Sequence, residues 1–107
     1  MVDLAGDFEH VILVKSPGPR PPFLEVVNHV YGREAVVDTE GDSHPPNSTE
    51  WTWLYMKLRE QPYREQPLVE VTMNEDHSTM FIASDDRMLA EKTAKYLADR
   101  TGGHVTE

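Results

Sequence analysis

Hydrophobic and polar residues alternate along two stretches of the chain, and this period of two predicts β-strands. The first stretch covers residues 50–59. The second, residues 67–84, is interrupted by the polar segment 74–78 and therefore predicts a hairpin of two strands. Residues 9–15 form a continuous apolar run, which predicts a strand buried on both faces of its sheet, and residues 34–38 predict a shorter strand.

Two other segments repeat their apolar residues at helical spacing. Residues 22–31 carry them at i, i+3, i+4, i+7 and i+8 and end before Gly32, which predicts a helix closed by a glycine cap. Because several of these residues are β-branched valines, a strand is the alternative for this segment. The second predicted helix begins after Ser84 or Asp85, either of which can cap it, and ends before Gly102.

The predicted order is strand, helix, strand, long loop, three strands and helix, followed by a short final strand at residues 104–106. This order favours an α+β fold, and the chain length suits a single domain over residues 1–107. We expect a two-layer sandwich, in which a mainly antiparallel sheet of roughly four to six strands carries two helices on one face. A ferredoxin-like arrangement is the nearest guess, and the order of strands in the sheet does not follow from the sequence.

The composition narrows the classes of function. The chain has 19 Asp and Glu against 10 Lys and Arg, a net charge of −9, and no cysteine, which excludes disulfides, a thiol nucleophile and an iron–sulfur cluster. Residues 34–56 contain five acids and no base, so duplex nucleic acid and membranes are unfavourable partners. Since the N-terminal residues do not resemble a signal peptide and no apolar run is long enough to span a membrane, we expect a cytoplasmic protein.

Four potential metal ligands follow one another at a spacing of two: Asp38, Glu40, Asp42 and His44. In an extended chain their side chains would point to the same side, which suits a hard or borderline cation. A solvated acidic loop is the alternative, because Ser43 stands where a calcium loop has its turn glycine. The sequence contains no zinc-protease motif, nucleophile elbow or phosphate loop. It therefore identifies no catalytic residue, calls for no cofactor, and favours a protein that is not an enzyme.

The strand predicted at residues 50–59 places five large side chains on one face: Trp51, Trp53, Tyr55, Lys57 and Arg59. Trp, Tyr and Arg are the residue types most enriched at binding hot spots. If the helices cover the other face, this row lies on the open side of the sheet and binds a protein partner or a second copy of the chain. A basic partner would be the natural complement of the negative charge. The alternatives are that the row faces the core or that the strand is buried on both sides.

These patterns together predict a small protein-interaction module that binds through its aromatic strand face. The competing hypothesis is a domain that binds a small ligand or a cation, or acts as an enzyme, with its site at the acidic loop 38–44. The exposure of Trp51 and Trp53 is the observation that best separates a binding face from a core face.

Overall fold

The computed structural model describes residues 9–41, 51–59 and 68–106. These residues form six strands and two helices: β1 (His10–Lys15), α1 (Phe23–Tyr31), β2 (Val37–Gly41), β3 (Trp53–Leu58), β4 (Leu68–Met73), β5 (Thr79–Ser84), α2 (Arg87–Thr101) and β6 (His104–Thr106). The predicted hairpin, the second helix and the short final strand are all present.

All six strands belong to one sheet in the order β2-β3-β4-β5-β1-β6, and every neighbouring pair is antiparallel. Since β5 and β6 both run antiparallel to the intervening β1, they are parallel to each other, and α2 joins them as a split βαβ unit. The structure confirms the α+β sandwich, at the upper end of the predicted number of strands. The ferredoxin-like comparison stays a prediction.

Both helices pack on the same side of the sheet, which we call the helix face; the opposite side is the open face. The buried strand residues on the helix face are Ile12, Val14, Leu54, Met56, Val69, Val71, Met80 and Ile82. The helices contribute Val26, Val27, Val30, Ala90, Ala94, Leu97 and Ala98 to the same core. Within the described ranges, no helix is long and apolar enough to cross a membrane.

The predicted helix at residues 22–31 is confirmed as α1, and the strand alternative is wrong. Val26, Val27 and Val30 are all buried against the sheet and α2, so burial of the apolar stripe outweighs the modest preference of valine for strands. The helix ends at Gly32, whose φ of 93° lies in a region that favours glycine.

The N-cap of α2 is Asp86, and the predicted caps Ser84 and Asp85 are wrong. The Asp86 carboxylate accepts a hydrogen bond of 3.1 Å from the backbone N–H of Leu89. Ser84 is still the last residue of β5, and its hydroxyl instead accepts a bond of 3.0 Å from the N–H of Asp86. Gly102 ends the helix in the left-handed conformation, as its position predicts.

Two strands differ from their predicted form. The second strand lies at Val37–Gly41, so it begins three residues after the predicted start at residue 34. The reason is that pairing with β3, and not the apolar residues of the segment itself, sets where this strand begins and ends.

The first strand is buried on one face only. In β1 the helix-face residues Ile12 and Val14 are buried, whereas Val11 and Leu13 on the open face are only half-buried. The strand is therefore not buried on both faces.

Contacts between exposed side chains fix the two helices to each other. The guanidinium of Arg100 donates to the carboxylate of Glu25 at 2.7 Å, and both the hydrogen bond and the charge of Glu25 help to raise the pKa of Arg100. The rings of His29 and Tyr96 stack with their centroids 4.1 Å apart. Lys92 donates to the carbonyl of Val30 at 3.0 Å, at the C-terminal end of α1, where a cation is favourable. His29 therefore contributes to the contact between α1 and α2 by stacking on Tyr96.

Two buried threonines of α2 show how a hydrogen bond to a buried hydroxyl group affects stability. Thr93 is fully buried and its hydroxyl has no hydrogen-bond partner among the described residues, whereas the hydroxyl of Thr101 donates to the carbonyl of Leu97 at 2.7 Å. We expect Thr93→Val to raise the free energy of unfolding by about 1 kcal/mol, because it removes an unsatisfied polar group without changing the shape of the side chain. Thr101→Val should lower it by about 1 kcal/mol. Urea denaturation measures both, and equal effects of the two substitutions would contradict this assignment.

Candidate functional site

The open face carries a row of five residues, three of them large and apolar, that crosses five of the six strands, and we call it the apolar row. Strand register places Trp53, Thr72, Phe81, Leu13 and Thr106 opposite one another on β3, β4, β5, β1 and β6. Trp53, Phe81 and Leu13 are half-buried, in contrast to the fully buried residues of the helix face. The sheet therefore presents large apolar side chains on both of its sides.

A second row runs beside the apolar row and contains two acids. Glu40, Tyr55, Glu70, Ala83 and Val11 lie opposite one another on β2, β3, β4, β5 and β1. Tyr55 is thus flanked on both neighbouring strands by a glutamate. The indole Nε1–H of Trp53 donates to the Glu70 carboxylate at 2.9 Å, and this bond joins the two rows. We call Glu40, Tyr55, Glu70 and Trp53 the aromatic–acid cluster.

The two cationic residues that the sequence predicts on this face, Lys57 and Arg59, lie at the end of β3 and just after it. Lys57 lies opposite Asp38 and Leu68, and Arg59 follows the strand. The Arg59 guanidinium forms a salt bridge with the Asp38 carboxylate, and this hydrogen bond, followed by the charge of Asp38, raises the pKa of Arg59. Both side chains remain about half exposed, at 55% and 45%, so the pair lies at the solvent boundary of the face.

The prediction that Trp51 belongs to the binding face is wrong. Its side chain is 0% exposed, and its indole N–H donates to the carbonyl of Pro21 at 2.8 Å. The guanidinium of Arg20 lies 5.9 Å from the centre of the indole ring. The reason is that β3 begins at Trp53, so the alternation of faces does not extend back to Trp51. Trp51 instead fixes the proline-rich connector between β1 and α1.

The structure describes half of the predicted metal set. Asp38 and Glu40 lie on the same side of β2, as their spacing predicts, but Asp38 is paired with Arg59. Asp42 and His44 lie outside the described residues. Within the part of the chain that is described, no group of three or more His, Asp or Glu side chains is arranged to hold a metal ion. The cation site at loop 38–44 stays a prediction.

Three side chains that share the open face with Trp53 and Tyr55 are not among the predicted site residues: Leu13, Phe81 and Glu70. Leu13 and Phe81 occur in runs that are apolar at almost every position, so their pattern indicates burial without indicating a face. Glu70 is the clearest missed signal, because it is the one acid within the alternating run of β4 and must point away from Val69 and Val71.

Comparison of the chain with protein-family models, with curated proteins and with solved structures gave no significant match. The interpretation of the open face therefore depends on its own geometry. That geometry combines half-buried aromatic side chains, two carboxylates directly beside Tyr55 and an ion pair at the boundary.

Proposed function

We propose that this protein is a non-enzymatic interaction module whose open sheet face binds a basic segment of another protein. The single observation that carries the proposal is the apolar row, which places Trp53, Phe81 and Leu13 on the side of the sheet opposite the helices. Each of these three side chains is half-buried, so part of its apolar surface remains in contact with water on that side, where a partner can cover it.

The residue types on this face are ones that contribute strongly to the free energy of binding at protein interfaces. Binding hot spots are enriched in Trp and Tyr, because these rings bury a large area at a low cost in side-chain entropy. Trp53 and Tyr55 are next to each other on the same side of β3, and Phe81 lies two strands from Trp53. A partner segment lying across β3, β4 and β5 would contact all three rings.

The charge supports a basic partner rather than a second copy of the chain. The protein carries a net charge of −9, so two copies repel each other, whereas a basic segment is attracted at long range. Glu40 and Glu70 bring part of that negative charge onto the open face beside Tyr55. The attraction should weaken as salt is added, because exposed charges are screened.

Selection from a library of random peptides displayed on phage tests the proposal. The selected peptides are expected to be basic and to bind less tightly, by about tenfold or more, to Phe81→Thr and Leu13→Thr, which remove an apolar side chain but keep a residue that favours strands. Leu24→Gln is the matched control, because Leu24 is an exposed apolar residue (48%) on the helix layer. Its affinity for the peptides should equal that of the wild type.

Three results would overturn the proposal. The selection could enrich no peptide that binds the purified protein. The selected peptides could bind both open-face variants as tightly as the wild type. Sedimentation could also show a wild-type dimer that Phe81→Thr dissociates, which would make a second copy the occupant of the face. Circular dichroism of each variant confirms that any lost affinity is not lost folding.

A further inference from the structure

The aromatic–acid cluster contains two carboxylates on either side of one aromatic ring. Residues directly opposite in an antiparallel sheet have Cα atoms about 4.5–5.5 Å apart, so Glu40 and Glu70 are the two cross-strand neighbours of Tyr55 on the open face. The hydrogen bond from the Trp53 indole holds the Glu70 carboxylate beside Trp53. The arrangement therefore presents two negative charges around an apolar surface.

Neither of these carboxylates has a cationic partner within the described residues. Asp38, on the same strand as Glu40, forms a salt bridge with Arg59, whereas no described Lys or Arg forms one with Glu40 or Glu70. Glu70 accepts its one described hydrogen bond from a neutral indole. An arginine of a partner would therefore supply a cation that the described contacts of these two carboxylates lack.

We infer that Glu40, Tyr55 and Glu70 form a subsite for an arginine side chain of the partner. This inference rests on the proposed function, because it assigns the anchoring residue of the basic segment that binds the open face. A guanidinium is planar, stacks on an aromatic ring, and presents five N–H donors in a fixed fork that can reach carboxylates on two sides. A lysine ammonium is a compact, strongly hydrated charge that lacks this planar stacking. The geometry of the cluster consequently favours arginine.

The two tryptophans supply an internal control for the experiment. Trp53 donates its indole N–H to Glu70 in the subsite, while Trp51 donates its indole N–H to Pro21 in the core. A 15N–1H correlation spectrum shows one indole signal for each, and Trp53→Phe assigns them. Titration with Nα-acetyl-arginine methylamide should shift the Trp53 signal and leave the Trp51 signal in place.

Two ligand controls and two variants make the test specific. The citrulline analogue, which has the same shape without the charge, should produce no shift, and the lysine analogue should bind several-fold more weakly than the arginine probe. Glu70→Gln and Glu40→Gln should each weaken binding of the arginine probe by about tenfold. Glu34→Gln, which neutralises an exposed acid away from the strands, should have no effect.

An unmoved Trp53 signal, or equal shifts with the arginine and citrulline probes, would overturn the inference. Equal binding of the arginine and lysine probes would do the same, since the subsite would then accept any cation. These failures leave the proposed function intact if selected peptides still lose affinity for Phe81→Thr. Conversely, the proposed function fails if no peptide binds the face, even where the arginine probe shifts the Trp53 signal.

Discussion

Truncating Trp51 should destabilise the protein more than truncating either aromatic residue of β3, Trp53 or Tyr55. Its side chain is fully buried and bonds to the carbonyl of Pro21, so Trp51→Ala leaves both a large cavity and a carbonyl without its donor. We expect the free energy of unfolding to fall by about 3–5 kcal/mol, a large part of the stability of a domain of this size. Urea denaturation at neutral pH measures the loss.

Trp53 is the matched control for this expectation. It is the same residue type two positions away, but it is half-buried on the open face. Trp53→Ala should cost less than half as much as Trp51→Ala, while Trp51→Phe should cost an intermediate amount because it keeps most of the ring and removes the indole donor. A loss below about 1 kcal/mol for Trp51→Ala would contradict the buried position of this residue.

The second large effect is expected at the centre of the sheet. Ile82 is 0% exposed and lies opposite Ile12 and Val71, on the strand against which α2 packs. We expect Ile82→Ala to lower the free energy of unfolding by about 2–5 kcal/mol, because the surrounding core relaxes only partly around the cavity. Chemical denaturation with two probes, fluorescence and circular dichroism, measures the effect and tests two-state behaviour.

Phe81 provides the control for the neighbouring position. It precedes Ile82 on β5 and points to the open face, where it is half-buried. Phe81→Ala removes more carbon atoms than Ile82→Ala but should cost less stability, because part of the Phe81 side chain is already in contact with water, whereas Ile82 is fully buried. If Phe81→Ala destabilised the protein more than Ile82→Ala, the open face would be a second core and not a binding surface.

The class of fold could be predicted from the sequence because it depends on local periodicity. The alternation at residues 67–84 and the stripe of α2 each follow from a single segment, and the structure contains the corresponding elements. The order of strands could not be predicted, since the position of β1 between β5 and β6 depends on contacts between distant segments. The shift of β2 by three residues has the same origin, because the ladder with β3 fixes its ends.

The sequence allowed us to predict which residues of β3 share one face, but not which residues of the neighbouring strands lie beside them. Alternation correctly places Trp53, Tyr55 and Lys57 on one side of that strand. It wrongly adds Trp51, because sequence alternation does not show where the extended chain begins. It also does not show that Glu40 and Glu70 flank Tyr55, since that juxtaposition follows from the register of three strands.

The central claim is that the open face of the sheet is the binding surface. Mapping the backbone amide shifts of the protein on addition of a selected basic peptide tests it most directly. We expect the largest shifts at Leu13, Trp53, Tyr55, Glu70 and Phe81, with little change along α1 and α2. Shifts concentrated on the helices, with the amides of β3, β4 and β5 unchanged, would contradict it.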